Sequence, residues 1–498
     1  MSAQRQAGRP MTAADLLAPE AWAGKLFQGA WTPADGPAYE ATDKADGALL
    51  ARLTLATPAT LSVSARLAAE AQPAWAAMPH EERAAVFRRA ADLVERHRDE
   101  AAGWIMRETG AIRAKADMEL RSALSTLHQA AAMLGEPQGL VFPSAPGKLS
   151  YGRRIPHGVV GVIAPFNFPL TLSIRAVAPA LATGNAVLLK PDPQTAVSGG
   201  LYLARLFEQA GLPAGLLHVL PGGADVGEAL CVDPQVRMVA FTGSTAAGRR
   251  VGALCGEHLK KVSLELGGKN SLIVLDDADL ELAAGCAAFG AWMHQGQICM
   301  ATGRILAHAS IAERLAGLLA EKAGRMKTGD PRQAGVRLGP MINARQLERV
   351  DQLVKRTVDA GARLCAGGSA DGPFYAATVL DGVRPGMPAF DEEVFGPVAV
   401  VTPFATEDEA VALANRTEYG LSAAVISRSV ARAMALGRRL RTGLLHINDQ
   451  TVAGDPRVPF GGVGASGNGG RIGGPANWDE FTQWQWVTVQ DQPPAYPF

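Results

Sequence analysis

Cysteine is scarce in this sequence: there are five among 498 residues, and no two of them form a Cys-x-x-Cys pair. An odd number of widely spaced cysteines suits neither a disulfide framework nor a zinc site. The nine histidines form no group with ligand spacing and HExxH is absent, so we expect no metal site. GxSxG and a P-loop ending in Lys-Ser/Thr are also absent, which argues against an α/β serine hydrolase and a P-loop NTPase.

An excess of charge of either sign is lacking too, because Lys+Arg and Asp+Glu both number 48. Nucleic-acid binders use surplus positive charge to neutralise phosphates, so we expect no nucleic-acid partner. The longest apolar stretches, such as residues 158–170, are too short for a membrane span, and the first residues lack the apolar core of a signal peptide. We therefore expect a cytoplasmic protein with no membrane partner.

The composition is otherwise globular, since 48% of the residues are apolar and 19% are charged. Apolar positions recur at helical spacing over residues 62–134, which predicts helices there. From residue 158, short β-branched runs alternate with helix-like segments at the spacing of βαβ crossovers. This alternation predicts a doubly wound parallel sheet with strands at 159–164, 186–190, 216–220, 237–241 and 262–266.

A second alternation begins near residue 271 and predicts a second α/β unit. Its helices are expected at 279–294, 311–326 and 344–360, and its strands at 271–275, 304–309, 398–404 and 422–427. The run WQWVTVQ at 484–490 reads as a lone terminal strand. We expect such a strand to pair with another element or with another subunit.

Glycine-rich segments raise the question of a phosphate site. The Gly-x-Gly-x-x-Gly at 462–467 has no helix behind it, so we interpret it as a tight loop and not as a dinucleotide fingerprint. Gly243 and Ser244 follow a predicted strand and begin a predicted helix, whose N–H groups can receive a diphosphate. An ordinary helix cap explains Ser244 equally well. Lys190 ends another strand, where it can hold a ribose hydroxyl or phosphate or simply be solvated.

Three further residues suggest carbonyl chemistry. Cys299 lies in a polar, glycine-flanked segment where a thiol can meet a substrate, whereas the other four cysteines suit small buried hydrophobes. Glu265 lies in an apolar strand, where burial gives a carboxyl the raised pKa of a general base unless it forms a structural ion pair. Asn167 follows a strand in APFNFP, and its amide can donate to an oxyanion unless it is only a turn residue.

Together these segments resemble the NAD(P)-dependent aldehyde dehydrogenase family. The resemblance runs from about residue 60 to the C-terminus through motifs in the family's order, including FTGST, LELGGKN, GQICMATGR, EEVFGPV and PFGGVGASG. The 34-residue spacing from Glu265 to Cys299 also matches. The segments HVLPGGADVGE and HINDQ and the ending PPAYPF are most similar to the aromatic-aldehyde branch, the benzaldehyde dehydrogenases.

The resemblance implies a covalent mechanism. Cys299 would attack the aldehyde to give a thiohemiacetal, with the oxyanion held by the Asn167 side chain and the Cys299 N–H. After hydride transfer, Glu265 would activate the water that hydrolyses the thioester. The resemblance also implies NAD as the coenzyme, with contacts from Phe166, Lys190, Gly243, Ser244, Leu266, Glu393 and Phe395.

Members of the family have three-part subunits, and the resemblance implies the boundaries here. It gives a coenzyme-binding domain at 1–136 and 156–267, a catalytic domain at 268–470, and bridging strands at 137–155 and 482–498. The bridging strands join subunits in this family, so the resemblance implies a homodimer or homotetramer.

Three positions depart from the family pattern. Pro193 replaces a glutamate that binds the ribose hydroxyls and repels a 2′-phosphate in many NAD-preferring members, so we expect NAD to be preferred and NADP accepted. Phe166 replaces the usual tryptophan, where the backbone makes the contact. Arg175 replaces an aromatic residue of the substrate tunnel, which favours a polar or ring-substituted substrate or a pairing with an acid.

We therefore predict oxidation of an aromatic aldehyde to its carboxylate. A semialdehyde or aliphatic specificity is the alternative. A non-catalytic protein on the same scaffold is a further alternative, against which the joint presence of Cys299, Glu265 and Asn167 argues.

Overall fold

The computed structural model of the protein describes residues 15–34 and 36–498. Its helices are α1 (Pro58–Ala77), α2 (His80–Arg96), α3 (Arg98–Thr109), α4 (Arg113–Met133), α5 (Pro169–Ala182), α6 (Tyr202–Gln209), α7 (Ala224–Val232), α8 (Thr245–Glu257), α9 (Leu280–Trp292), α10 (Ala309–Gly324), α11 (Ala344–Asp359), α12 (Pro388–Asp391), α13 (Glu407–Asn415), α14 (Val430–Gly437) and α15 (Ala476–Phe481). Its strands are β1 (Lys25–Gln28), β2 (Trp31–Pro33), β3 (Ala38–Thr42), β4 (Leu49–Thr54), β5 (Gly139–Phe142), β6 (Lys148–Pro156), β7 (Val159–Ile163), β8 (Ala186–Lys190), β9 (Leu217–Val219), β10 (Val236–Thr242), β11 (Lys261–Glu265), β12 (Asn270–Val274), β13 (Thr302–His308), β14 (Arg363–Ala366), β15 (Ala370–Asp371), β16 (Phe374–Tyr375), β17 (Thr378–Asp381), β18 (Val398–Phe404), β19 (Tyr419–Gly420), β20 (Ser422–Ile426), β21 (Leu444–Ile447), β22 (Val463–Gly464) and β23 (Thr482–Gln490).

The first large sheet has the order β11-β10-β7-β8-β9-β1-β2. Its strands β7 to β11 are parallel, which confirms the predicted doubly wound unit. Strands β7, β8 and β9 are buried along their whole length because helices such as α1 and α5 pack against them, and their sequences are accordingly continuous apolar runs. The β1–β2 hairpin extends this sheet antiparallel to β9 and was not predicted from the sequence.

The second large sheet has the order β14-β17-β18-β13-β12-β20-β21, parallel except for β14, and confirms the second α/β unit. Two buried apolar clusters fill its interior. The helix predicted over 279–294 runs one residue before the start of α9 and two residues past its end. Helix α9 ends at Trp292 because His294 and Gln295 take left-handed backbone angles, with φ of 48° and 55°.

A third sheet has the order β23-β6-β5 and is antiparallel. The terminal strand predicted at 484–490 is β23, which begins two residues earlier, at Thr482, and pairs with β6 of its own chain over nine residues. The predicted domain boundaries stay a prediction, as does the role of these strands in joining subunits. Residues 1–14 of the predicted coenzyme domain lie outside the described residues.

The edge of the first sheet gathers the residues singled out in the sequence. Asn167 follows β7, Lys190 ends β8, Gly243 follows β10 and Glu265 ends β11. Ligands of open α/β sheets bind outside the carboxyl ends of the strands, so this edge is where a site is expected. In the part of the chain that the structure describes, no helix is both long and apolar enough to cross a membrane.

Candidate active site

Two cavities meet at Cys299. The first, here called the helix cavity, has a volume of about 940 Å³ and lies beside α4 and α5. The second, the sheet cavity, has a volume of about 980 Å³ and lies at the ends of β7, β10 and β11. Cys299, Asn167 and Leu172 line both cavities. A molecule in either cavity can therefore reach the same thiol.

Cys299 lies in a turn that follows the irregular segment Met293–Gly296. Gln295 in this segment donates to two backbone carbonyls at 3.1 and 2.8 Å, which fixes the approach to the turn. Burial raises the pKa of the Cys299 thiol to about 12, and the Arg175 guanidinium lowers it. The thiol is therefore protonated at neutral pH in the protein alone, and its activation needs a further positive charge or a proton acceptor.

Asn167 is held from two sides. Its Nδ2 donates to the Gln297 carbonyl at 2.9 Å, so the amide points at the loop that carries the thiol. Behind it, Lys115 Nζ donates to the Asn167 backbone carbonyl at 2.7 Å and pairs with Glu119. The other Glu119 oxygen accepts the Thr171 N–H at 3.1 Å. This buried ion pair joins α4 to the start of α5 and sets the position of the amide.

Glu265 is a buried carboxyl that lacks a partner. It is 3% exposed, and neither of its carboxylate oxygens has a hydrogen-bond partner among the described residues. Burial raises its pKa to about 8; Arg175 and Arg471 lower it, and Glu480 raises it further. A carboxyl with this pKa can accept a proton in mildly alkaline conditions, which suits a general base.

The glycine-rich segment 462–467 forms a tight loop against the strand that carries Glu265. Gly467 pairs with Glu265 through an isolated bridge, and the Leu266 N–H donates to the Ser466 carbonyl at 2.9 Å. No helix follows directly, since α15 begins at residue 476. This loop supports the end of β11 and is not a dinucleotide fingerprint.

Gly243 and Ser244 both line the sheet cavity at the start of α8. A Cβ on Gly243 would lie 2.6 Å from the tip of the Phe241 ring, so a larger residue here would have to displace that ring. The Ser244 hydroxyl accepts the Ala247 N–H at 3.3 Å and is thus a helix cap. The cap places the N-terminus of α8 at the sheet cavity, and the binding of a diphosphate there stays a prediction.

Phe166, Leu266, Glu393 and Phe395 also line the sheet cavity. Glu393 accepts the Gly268 N–H at 3.0 Å, and burial raises the pKa of its carboxyl. Phe395 has a left-handed backbone, with φ of 53°, and its ring meets Phe166 edge-on at 6.1 Å between centroids. The aromatic pair and the carboxylate therefore form one wall of this cavity.

Lys190 is the one predicted coenzyme residue that is not in the lining of the sheet cavity. It ends β8 at the same sheet edge; burial lowers its pKa, and Asp192 and Asp225 raise it. Asp192 accepts the Gln194 N–H at 2.9 Å and so caps the turn that contains Pro193. The carboxylate nearest in sequence to Pro193 is thus engaged in its own turn.

Arg175 lines the helix cavity together with Asn167 and Cys299. It donates to Thr242 Oγ1 at 3.1 Å and lies 5.0 Å from the centroid of the Phe460 ring. Its charge lowers the pKa of Glu265 and of Cys299. It therefore supplies positive charge at the junction of the two cavities.

Several site residues were missed in the sequence. Lys115 and Glu119 occupy buried positions on α4, and charged residues within that helix's apolar stripe were the available signal. Arg345 and Arg349 on α11 line the sheet cavity, and Arg349 donates to the Glu393 carbonyl at 2.6 Å. Nothing in the sequence marked these arginines as site residues, because the charged face of a basic, strongly amphipathic helix is expected to lie in solvent.

The sheet cavity fits a dinucleotide coenzyme: a helix N-terminus, a close-packed glycine and arginine side chains are available for phosphates, and Glu393 for a ribose hydroxyl. Among residues 15–34 and 36–498, no three His, Cys, Asp or Glu side chains are grouped to hold a metal ion.

Comparison with known proteins identifies the family of this chain. The profile of the aldehyde dehydrogenase family matches residues 31–487. The chain is 54% identical to a vanillin dehydrogenase of an Amycolatopsis species, over 97% of this chain and 100% of the relative. It is 50% identical to the NAD(+)-dependent benzaldehyde dehydrogenase of Pseudomonas putida, over 96% and 98%. The solved aldehyde dehydrogenase of Brucella melitensis biovar abortus superposes with a TM-score of 0.92 at 33% identity, over 96% and 100%. The chain belongs to the aldehyde dehydrogenase family.

Proposed function

We propose that this enzyme oxidises an aromatic aldehyde to its carboxylate with NAD. The relatives named vanillin and benzaldehyde dehydrogenase support the substrate class, and the relative specified as NAD(+)-dependent supports the coenzyme. The observation that carries the proposal is the position of Cys299, which lines both cavities. The aldehyde enters through the helix cavity and the coenzyme lies in the sheet cavity.

The chain's own residues divide the chemistry between them. Cys299 attacks the carbonyl carbon, and the Asn167 amide with the Cys299 N–H holds the oxyanion. NAD, when bound, supplies the hydride acceptor. Glu265 then takes a proton from water as that water attacks the thioester, which releases the carboxylate and restores the thiol.

The lining of the helix cavity supports a flat, apolar substrate. Met118, Leu172, Ile298, Val452 and Phe460 supply apolar surface for a ring. Polar groups also line the cavity, which is compatible with a hydroxyl or methoxy substituent. They are Ser122, Thr126, Thr171 and Asn477.

For the coenzyme, we propose that NAD is preferred and NADP is also accepted. Pro193 supplies no carboxylate at the position beside Lys190, and Asp192 is engaged in its own turn. Electrostatic discrimination against a 2′-phosphate at this turn is therefore weak.

A homodimer or homotetramer in the cytoplasm completes the proposal. The three-stranded sheet leaves Leu140, Val141, Trp484 and Trp486 between 49% and 78% exposed. Large exposed apolar side chains grouped on one sheet mark an interaction surface. Size-exclusion chromatography with light scattering tests the oligomeric state.

A panel of substituted benzaldehydes, aliphatic aldehydes and semialdehydes, followed by NADH absorbance, tests the substrate class. For Cys299→Ala we expect turnover to fall by at least about 10⁴-fold while coenzyme binding, measured by fluorescence quenching, persists. Substantial residual turnover in this variant contradicts the mechanism, and a preference for aliphatic aldehydes contradicts the substrate class.

A further inference from the structure

The proton that Glu265 gains during thioester hydrolysis must leave a buried position. Glu265 is 3% exposed, and the charged groups that act on it are Arg175 on α5, Arg471 in the loop after β22, and Glu480 on α15. Arginine does not release its proton in proteins, so neither guanidinium can take the proton from Glu265. Glu480 is the remaining acceptor among these neighbours.

One face of β11 connects Glu265 with the protein surface. Lys261, Ser263 and Glu265 alternate along the strand, so their side chains lie on the same face. Lys261 stands at the solvent end with a third of its side chain exposed, and Ser263 and Glu265 are buried. The strand thus carries a line of polar side chains from the solvent to the site.

Glu480 lies against the middle of this line. Its Oε1 and the Ser263 Oγ face the same point beside Gly470: a Cβ built there would lie 3.3 Å from the first and 2.6 Å from the second. Both atoms are buried, and neither has a hydrogen-bond partner among the described residues. The other Glu480 oxygen, Oε2, lies 3.9 Å from Lys261 Nζ.

From this arrangement we propose that Glu480 is a positioning residue for the general base, and that it carries the proton from Glu265 past Ser263 to solvent at Lys261. The inference rests on the proposed function of Glu265. The protonated Glu265 carboxyl gives its proton to the Glu480 carboxylate, which releases it to bulk water or buffer. Each turnover then returns both carboxylates to their starting forms.

The other charged groups near Glu480 do not offer an equivalent route. His157 Nε2 contacts the Glu480 carbonyl at 3.1 Å, but burial lowers its pKa to about 4, so it is neutral in the working range. Asp479 is 71% exposed and pairs with Arg154 at the surface. Arg471 donates to backbone carbonyls and stays charged.

The test is the rate of acyl-enzyme hydrolysis for Glu480→Gln, measured in a single turnover across pH. We expect hydrolysis to slow about tenfold in dilute buffer. The rate falls at low pH as Glu265 becomes protonated, and this acid limb of the pH profile should move to lower pH, because the loss of a negative charge near Glu265 lowers the pKa of its carboxyl. A small buffer such as imidazole should restore part of the rate. Asp479→Asn removes the same charge from the adjacent residue and should leave rate, pH limb and buffer dependence unchanged.

Ser263→Ala provides a second test that leaves Glu480 and Lys261 in place, and decides the matter if Glu480→Gln does not fold. We expect slower hydrolysis with the same buffer rescue. The relay would be overturned if Glu480→Gln and Ser263→Ala both hydrolysed the acyl-enzyme at the parent rate with the parent pH profile. It would also be overturned if hydrolysis slowed but buffer did not restore the rate. Glu265→Gln run in parallel separates the two proposals: if it hydrolyses the acyl-enzyme at the parent rate, the premise about Glu265 itself fails.

Discussion

Two buried charged regions act on Asn167 and Cys299, and they differ in whether their hydrogen bonds are satisfied. On α4, Lys115 and Glu119 are at most 1% exposed and satisfy each other as well as two backbone groups. At the end of β11, Glu265 is also buried, at 3% exposed, but its carboxylate has no hydrogen-bond partner among the described residues.

The difference separates a structural role from a chemical one. A buried pair with its hydrogen bonds made fixes geometry, whereas a buried carboxyl without partners has a raised pKa and remains free to accept a proton. Charged residues that are similarly buried can therefore either fix the structure or take part in proton transfer. Whether their hydrogen bonds are satisfied decides between the two roles.

The largest change in stability is expected for Lys115→Met. It leaves Glu119 as an unpaired buried charge, so we expect a loss of about 3–5 kcal/mol in the free energy of unfolding. The Asn167 carbonyl also loses its donor, so turnover should fall as well. Thermal denaturation and NADH kinetics measure the two effects.

The matched control is Lys115→Met combined with Glu119→Leu. An apolar pair of similar volume removes the unpaired charge, so most of the lost stability should return while turnover stays reduced. A double variant as unstable as the single one would mean that the ion pair is not the cause.

On the other side of the comparison, Glu265→Gln should raise stability. The folded pKa of about 8 lies above that of an unfolded glutamate, near 4.3, so folded-state stability is lost as the pH rises from about 4 to about 8. Glutamine does not titrate, so the variant should gain about 3 kcal/mol at pH 7. The difference in Tm between variant and parent should grow from pH 5 to pH 8; a difference independent of pH contradicts the raised pKa.

The smallest effect is expected at the turn that contains Pro193, where charge is only partly buried. Pro193→Glu adds like-charge repulsion against a 2′-phosphate and should lower kcat/KM for NADP about tenfold relative to NAD, or about 1.4 kcal/mol. The NAD/NADP ratio at one ionic strength is the measurement. An unchanged ratio would place position 193 away from the ribose, and a parent without NADP activity would point to Asp192 or Asp225 as the discriminator.

The sequence predicted the parallel cores well, because strands buried on both faces are continuous apolar runs separated by crossover helices. It also singled out Glu265 and Cys299, since a carboxyl in an apolar strand and a thiol in a glycine-flanked turn are both unusual. The family resemblance then supplied a role for each.

The rest depended on contacts between distant segments. Glu480 is 215 residues from Glu265 in the chain, and no local pattern relates the two. The support of Asn167 by Lys115, and the lining of the sheet cavity by Arg349, likewise arise only when α4, α5 and α11 are packed. The end of α9 was missed because the left-handed turn uses His294 and Gln295 and not glycine.

In the proposed mechanism, the unpaired carboxyl of Glu265 serves thioester hydrolysis. A rapid-mixing experiment with Glu265→Gln, benzaldehyde and NAD at pH 8 tests it most directly. We expect a burst of about one NADH per active subunit, because Cys299 still forms the thioester. Turnover after the burst should be slowed about 10²-fold or more, because no base activates water. A steady-state rate close to that of the parent, with no burst, would contradict it.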